Sequence, residues 1–115
     1  MATTGDIELE PSAVAERLAA DPGLQLVDVR EPYEHEAGHI SGALHLELTA
    51  LSSQAQTLDQ GRPLVFYCRV GSRSLMAAQA FRASGFEAYS MAGGLLRWAQ
   101  EGRELAPDGG RVADH

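Results

Sequence analysis

One side chain in this sequence offers a thiol, and its neighbours are not those of a core residue. Cys68 opens the run Cys68-Arg69-Val70-Gly71-Ser72-Arg73. By default a lone cysteine after an apolar strand is a small core filler. Two arginines, a glycine and a serine beside it argue otherwise, since an unpaired guanidinium is expensive to bury. Gly71 permits backbone geometry that a Cβ would resist, so successive N–H groups can converge into an anion-binding nest. A helix beginning near Ser72 would add the positive end of its dipole. The helix terminus, Arg69 and Arg73 all favour the thiolate, which is the attacking species. The chemistry indicated is covalent catalysis by Cys68. The nest of residues 69 to 73 would hold the negative charge that develops beyond the sulfur, whether persulfide, sulfonate or phosphate.

The rest of the composition narrows that chemistry. A single cysteine allows no intrachain disulfide, no Cys-x-x-Cys redox pair and no cysteine-rich zinc site. Of four histidines, His35 and His39 are the only pair at helical ligand spacing, which is too little for a metal site. No residue pattern calls for a cofactor. The formal charge of −7 disfavours nucleic acid and an anionic membrane surface as partners. An anionic substrate must then be met by local positive potential. Neither a targeting signal in Met1 to Asp6 nor an apolar run near the roughly 20 residues of a membrane span is visible, so a cytoplasmic setting is expected.

A chain of 115 residues makes one domain. Its elements alternate. Ile7-Glu8-Leu9 reads as a short edge strand, and Pro11-Ser12 opens an amphipathic helix that Asp21-Pro22-Gly23 stops. Leu24 to Val29 is a compact apolar strand suited to the centre of a parallel sheet. Pro32 starts a short helix that Gly38 ends. Ala43 to Leu46 is a second candidate strand, followed by a weak helix around Ala50 to Leu58. Leu64-Val65-Phe66-Tyr67 is the most β-prone run. A helix from Ser72 to Ser84 follows, with Leu75, Met76, Ala80 and Phe81 expected to face inward and Gly85 to cap it. Glu87 to Met91 is the last strand, and Gly93-Gly94 turns into Leu95-Leu96-Arg97-Trp98. This alternation predicts an α/β fold, a three-layer α/β/α sandwich on a mainly parallel sheet of about five strands. The domain is expected over residues 1–106, and the polar, Gly-containing residues 107–115 are expected to form a flexible tail. Cys68 then stands at the carboxyl end of a strand, where open α/β sheets bind ligands.

Three blocks resemble the single-domain rhodanese family of sulfurtransferases. They are Val27-Asp28-Val29-Arg30-Glu31 with Tyr33-Glu34, then Gly38-His39-Ile40-Ser41-Gly42-Ala43, then Tyr67 to Ser74 with Gly93-Gly94 and Trp98 downstream. Their order and spacing together carry the resemblance, which runs from about Glu8 to Glu104. Ser41 stands where a proline is common in that family, and Arg103 follows Gly102 where another proline is often found.

The resemblance implies a two-step reaction. Cys68 would take the outer sulfur of thiosulfate or another persulfide or polysulfide donor as a persulfide, and an external thiol, protein or cyanide would remove it. Residues Arg69, Val70, Gly71, Ser72 and Arg73 would form the binding loop. Arg69 is expected to point outward and draw the donor. Arg73 either contacts the sulfonate or is held by Asp28 or Glu31. Asp28, Arg30 and Glu31 are supporting residues, with Asp28 and Arg30 holding the neighbouring loop by hydrogen bonds, and His39 is structural. Two rivals stand beside this. A cysteine phosphatase or arsenate reductase shares the fold but places five residues between nucleophile and arginine, whereas four separate Cys68 from Arg73, and no acid for an alkoxide leaving group is evident. The other rival is a non-catalytic or carrier-type binding module of the same family.

Overall fold

The computed structural model describes residues 7–115, so the segment Met1 to Asp6, read above as free of a targeting signal, lies outside the described residues. The strands are β1 (Glu8–Leu9), β2 (Gln25–Asp28), β3 (Leu44–His45), β4 (Leu64–Tyr67) and β5 (Ala88–Met91). The α-helices are α1 (Pro11–Ala20), α2 (Pro32–Ala37), α3 (Leu51–Gln54), α4 (Ser72–Ala83) and α5 (Gly94–Gln100). Every strand pairing is parallel, in the order β1-β5-β4-β2-β3. The expected architecture and strand number are therefore those observed.

Alternation along the strands explains the layers. Val27, Leu64, Phe66 and Cys68 turn to one face, where they meet Leu51 of α3 and Ala77, Ala78 and Phe81 of α4. Leu26, Val65, Tyr67 and Met91 turn to the other, against Val14 of α1 and Leu95 and Trp98 of α5. Strands covered on both faces read as continuous apolar runs, which is why β2 and β4 were visible in the sequence.

Two local expectations differ from the structure. The weak helix around Ala50 to Leu58 is a 3-10 turn (Leu48–Ala50), the four-residue α3 and a second 3-10 turn (Ala55–Thr57). The buried face of α4 is Ser74, Ala77, Ala78 and Phe81. Of the four residues expected inward, Phe81 is buried and Leu75 half-buried, whereas Ala80 is exposed and Met76 is 58% exposed. The helix start fixes that face. Ser72 follows Gly71 in the left-handed region (φ 106°), which turns Ser74 inward toward Ser90, and the i, i+3, i+4, i+7 stripe follows from it.

The segment read as a flexible tail has defined partners. The Gly110 N–H donates to the Pro107 carbonyl (2.8 Å), the Arg111 N–H donates to the Ala37 carbonyl (2.8 Å), and Ala113 is buried. Its composition signals fraying, but the Ala37 carbonyl at the end of α2 supplies an acceptor that a local reading does not see.

Candidate active site

β2 leads outward to β3 on one side, and the chain returns to β4 on the other. The strand order thus reverses between β2 and β4, which are paired in register with Asp28 opposite Tyr67. Crevices at such a reversal, beyond the carboxyl ends of the strands, are the ligand sites of open α/β sheets. The loops leaving β2 (Val29 to Glu31) and β4 (Cys68 to Gly71) meet there.

Cys68 is fully buried and its thiol is free. Its Sγ accepts the Gly71 N–H at 3.1 Å and the Ser74 N–H at 3.4 Å, and the Ser74 hydroxyl lies 3.5 Å away. Ser74 Oγ also donates to the Gly71 carbonyl at 3.2 Å and lies 2.8 Å from Ser90 Oγ. The loop therefore wraps its donors around the sulfur. Ser74 lies outside the span of residues 69 to 73 read as the cradle. It reaches the sulfur because the third residue of the helix turns inward, toward Ser90.

A second helix start closes the loop from behind. The Leu95 N–H donates to the Cys68 carbonyl (2.8 Å) and the Leu96 N–H to the Arg69 carbonyl (3.0 Å). These first-turn donors of α5 have no partner within their own helix, and the loop supplies one. Gly94 makes the approach possible, because a Cβ there would stand 2.4 Å from the Arg69 carbonyl oxygen and 2.6 Å from that of Cys68.

The loop arginines are differently engaged. Arg73 makes a two-pronged pair with Glu34 (2.8 and 2.9 Å), a fully buried carboxylate on α2. Its partner is thus neither Asp28 nor Glu31. Burial alone would raise the Glu34 pKa, but the Arg73 hydrogen bonds and charge hold it below 4.5. Glu34 was missed in the sequence as a site residue. Its one local sign was the spacing from Glu31, since the two carboxylates form a reciprocal capping box at the start of α2. Arg69 is partly exposed and its Nη2 lies 3.6 Å from Asp114. Its buried Nε meets no acceptor among the described residues.

Asp28 and Arg30 form a buried pair below the β2 loop. Asp28 accepts the Arg30 backbone N–H (3.0 Å), Nε (2.8 Å) and Nη2 (2.6 Å), and Arg30 Nη2 reaches the Gly38 carbonyl (2.7 Å). Burial would raise the Asp28 pKa, yet Arg30 holds it below 3.8. His35 donates from Nδ1 to Asp28 (2.8 Å), and its ring stacks between those of His39 and His45. His39 Nδ1 is bonded to the His35 carbonyl (2.7 Å), a role within the fold. Glu31, Glu34 and His115 bring oxygen and nitrogen atoms within 4.8 Å of one another, but the Glu34 carboxylate is already committed to Arg73.

A cavity of about 330 Å³ opens beside the loop, lined by Val29, Glu31, Glu47, Leu48, Thr49, Arg73 and His115. A larger hollow of about 460 Å³ is lined by residues of α3, α4 and their flanks, and none of them is ionisable. Only the smaller of these two borders the loop, at Arg73, and carries titratable groups.

Comparison with known proteins bears on this geometry. The family model for the rhodanese-like domain matches residues 10–101. A sulfurtransferase of Allochromatium vinosum is 32% identical over 104 residues, covering 89% of this chain and 97% of its own. YtwF of Bacillus subtilis, provisionally named a sulfurtransferase, is 34% identical over 94 residues, covering 82% of this chain and 91% of its own. The crystal structure of a rhodanese-related protein from Thermoplasma volcanium superposes with a TM-score of 0.80 at 23% identity, over 86% of this chain and 96% of that one.

Proposed function

The chain belongs to the rhodanese-like domain family, a membership that supports a sulfurtransferase-type function at family level, and from that premise we propose that Cys68 carries the sulfur as a persulfide. The observation that carries the reading is the set of donors aimed at Cys68 Sγ from Gly71 and Ser74. Donors placed in advance around a charged sulfur stabilise it without reorganisation at the moment of reaction.

In the first step the Cys68 thiolate attacks the outer sulfur of thiosulfate. A new S–S bond forms, the bond between the two sulfurs of thiosulfate breaks, and its electron pair leaves with sulfite. The product is a persulfide anion on Cys68. In the second step an external thiol or cyanide takes the outer sulfur and returns the Cys68 thiolate. With no second cysteine in the sequence, the acceptor has to be another molecule. Arg69, whose guanidinium end is partly exposed, draws the anionic donor toward the loop. Arg73 is a scaffold residue, because Glu34 already satisfies its planar fork. That commitment also counts against a phosphatase, in which the loop arginine must be available to the phosphate. A cytoplasmic setting fits a reaction that needs its only thiol reduced. No helix among the described residues is long and apolar enough to cross a membrane.

Intact-mass measurement after treatment with thiosulfate or polysulfide tests the proposal. The wild type should gain one sulfur atom, lose it to cyanide or a thiol, and show no gain as Cys68→Ser. A wild type that takes sulfur from no sulfane donor would make this a binding module of the family.

A further inference from the structure

We propose that Asp114 is a specificity-determining residue, which shields Arg69 and biases the site against small dianionic sulfane donors in favour of donors bearing less negative charge. This rests on the persulfide reading above and adds the donor class to it.

The inference begins with how Asp114 is held. The Arg111 N–H is bonded to the Ala37 carbonyl (2.8 Å), and Ala113 is 5% exposed. The Tyr33 hydroxyl donates to the Asp114 carbonyl (3.2 Å), and His115 Nε2 lies 3.3 Å from Glu31. Segment 111–115 is thus tied along α2 at several points and ends at the mouth of the Cys68 loop. These ties leave the Asp114 carboxylate fully exposed and 3.6 Å from Arg69 Nη2. The cation proposed to recruit the donor therefore already has a carboxylate beside it. Arg73 offers no substitute, because Glu34 holds it. The cavity bordered by Arg73 has Glu31 and Glu47 in its lining. A thiosulfate dianion arrives at two compensated arginines, with Asp114, Glu31 and Glu47 as further carboxylates near them, on a chain of net charge −7.

Coulomb's law sets the discrimination. A carboxylate on the rim repels a dianion twice as strongly as a monoanion of the same shape. Exposed rim charges act on encounter and on salt dependence more than on the chemical step. The effect must then appear in KM or kcat/KM and fade as salt shortens the Debye length.

An alkanethiosulfonate is the matching monoanion. The thiolate attacks its outer sulfur and expels a sulfinate, just as it expels sulfite from thiosulfate. The persulfide is the same and the donor carries one charge fewer. The experiment measures kcat and KM for both donors with the full chain, wild type and Asp114→Asn, at low and high salt. Asp114→Asn should lower KM for thiosulfate with kcat little changed, and raise the preference for thiosulfate over the thiosulfonate by about threefold to fivefold at low salt. The shift should disappear at high salt, and Asp114→Glu should keep the wild-type preference. An equal change for both donors, an effect on kcat alone, or a shift that ignores salt overturns the inference while leaving the persulfide reading intact. If the wild type turns over neither donor, both fall.

Discussion

Cys68 is fully buried, yet its sulfur is surrounded by polar hydrogens and not by hydrocarbon alone. What keeps them in place is one residue pair removed, at Arg73 and Glu34. Glu34 is fully buried, so its carboxylate is stable there only while Arg73 faces it. Removing either partner strands the other. Glu34→Gln should therefore lower the unfolding free energy by about 2–4 kcal/mol, read from the urea midpoint at constant slope. Arg73→Lys should lose much of the same stability, because an ammonium cannot reproduce a two-pronged fork. The thiol and its loop were legible because they occupy consecutive positions. Glu34 was not, since its partner lies 39 residues away and no local pattern joins them.

At the scale of elements, the loop is a joint between two helix starts. α4 begins on it, and the first free N–H groups of α5 donate back to its carbonyls. Gly94 is the hinge of that arrangement, with a positive φ of 61° and the Cys68 and Arg69 carbonyl oxygens where a Cβ would sit. Gly94→Ala must push α5 and the loop apart. Displacements of about 1 Å at a reacting group can cost on the order of a hundredfold in rate. Gly94→Ala should accordingly slow persulfide formation by about that factor in single-turnover mass spectrometry, with the far-ultraviolet circular dichroism of the fold retained. Which helix followed which strand was readable from periodicity and from Gly-Pro punctuation. The face of α4 was legible at Phe81 but not in its first turns: Leu75 and Met76 are more apolar than Ser74, but the turn at Gly71 set the phase and left Met76 outside. Between Leu48 and Thr57 no sustained period exists, and the chain settles into three short turns.

Across the whole molecule, charge and tail belong together. The polar segment after Pro107 carried no local sign of order, because the partners that fix it are Ala37, Tyr33 and Glu31, all distant in sequence. The same region gathers the groups that set the response to pH. Burial disfavours the charged form of His35 more strongly than Asp28 favours it, with His39 and His45 adding to that depression, so the His35 pKa lies below 6.5. Asp28 and Glu34 are likewise held below 3.8 and 4.5 by their arginines, against the pull of burial. For each of the three, the unfolded chain binds its proton at a higher pH than the folded protein does. Acidification therefore favours the unfolded state at every one of them. Stability should begin to fall as pH drops through 6.5, where His35 titrates in the unfolded chain. It should fall more steeply below pH 4.5, as Glu34 and then Asp28 follow. His35→Gln keeps an amide that can donate to Asp28 but removes the titration. In this variant the loss of Tm between pH 7 and pH 5 should shrink by about half or more, while the steep carboxylate limb stays where it was. A wild-type Tm that rises on acidification through that interval would show that the Asp28 hydrogen bond, and not burial, decides the histidine's protonation.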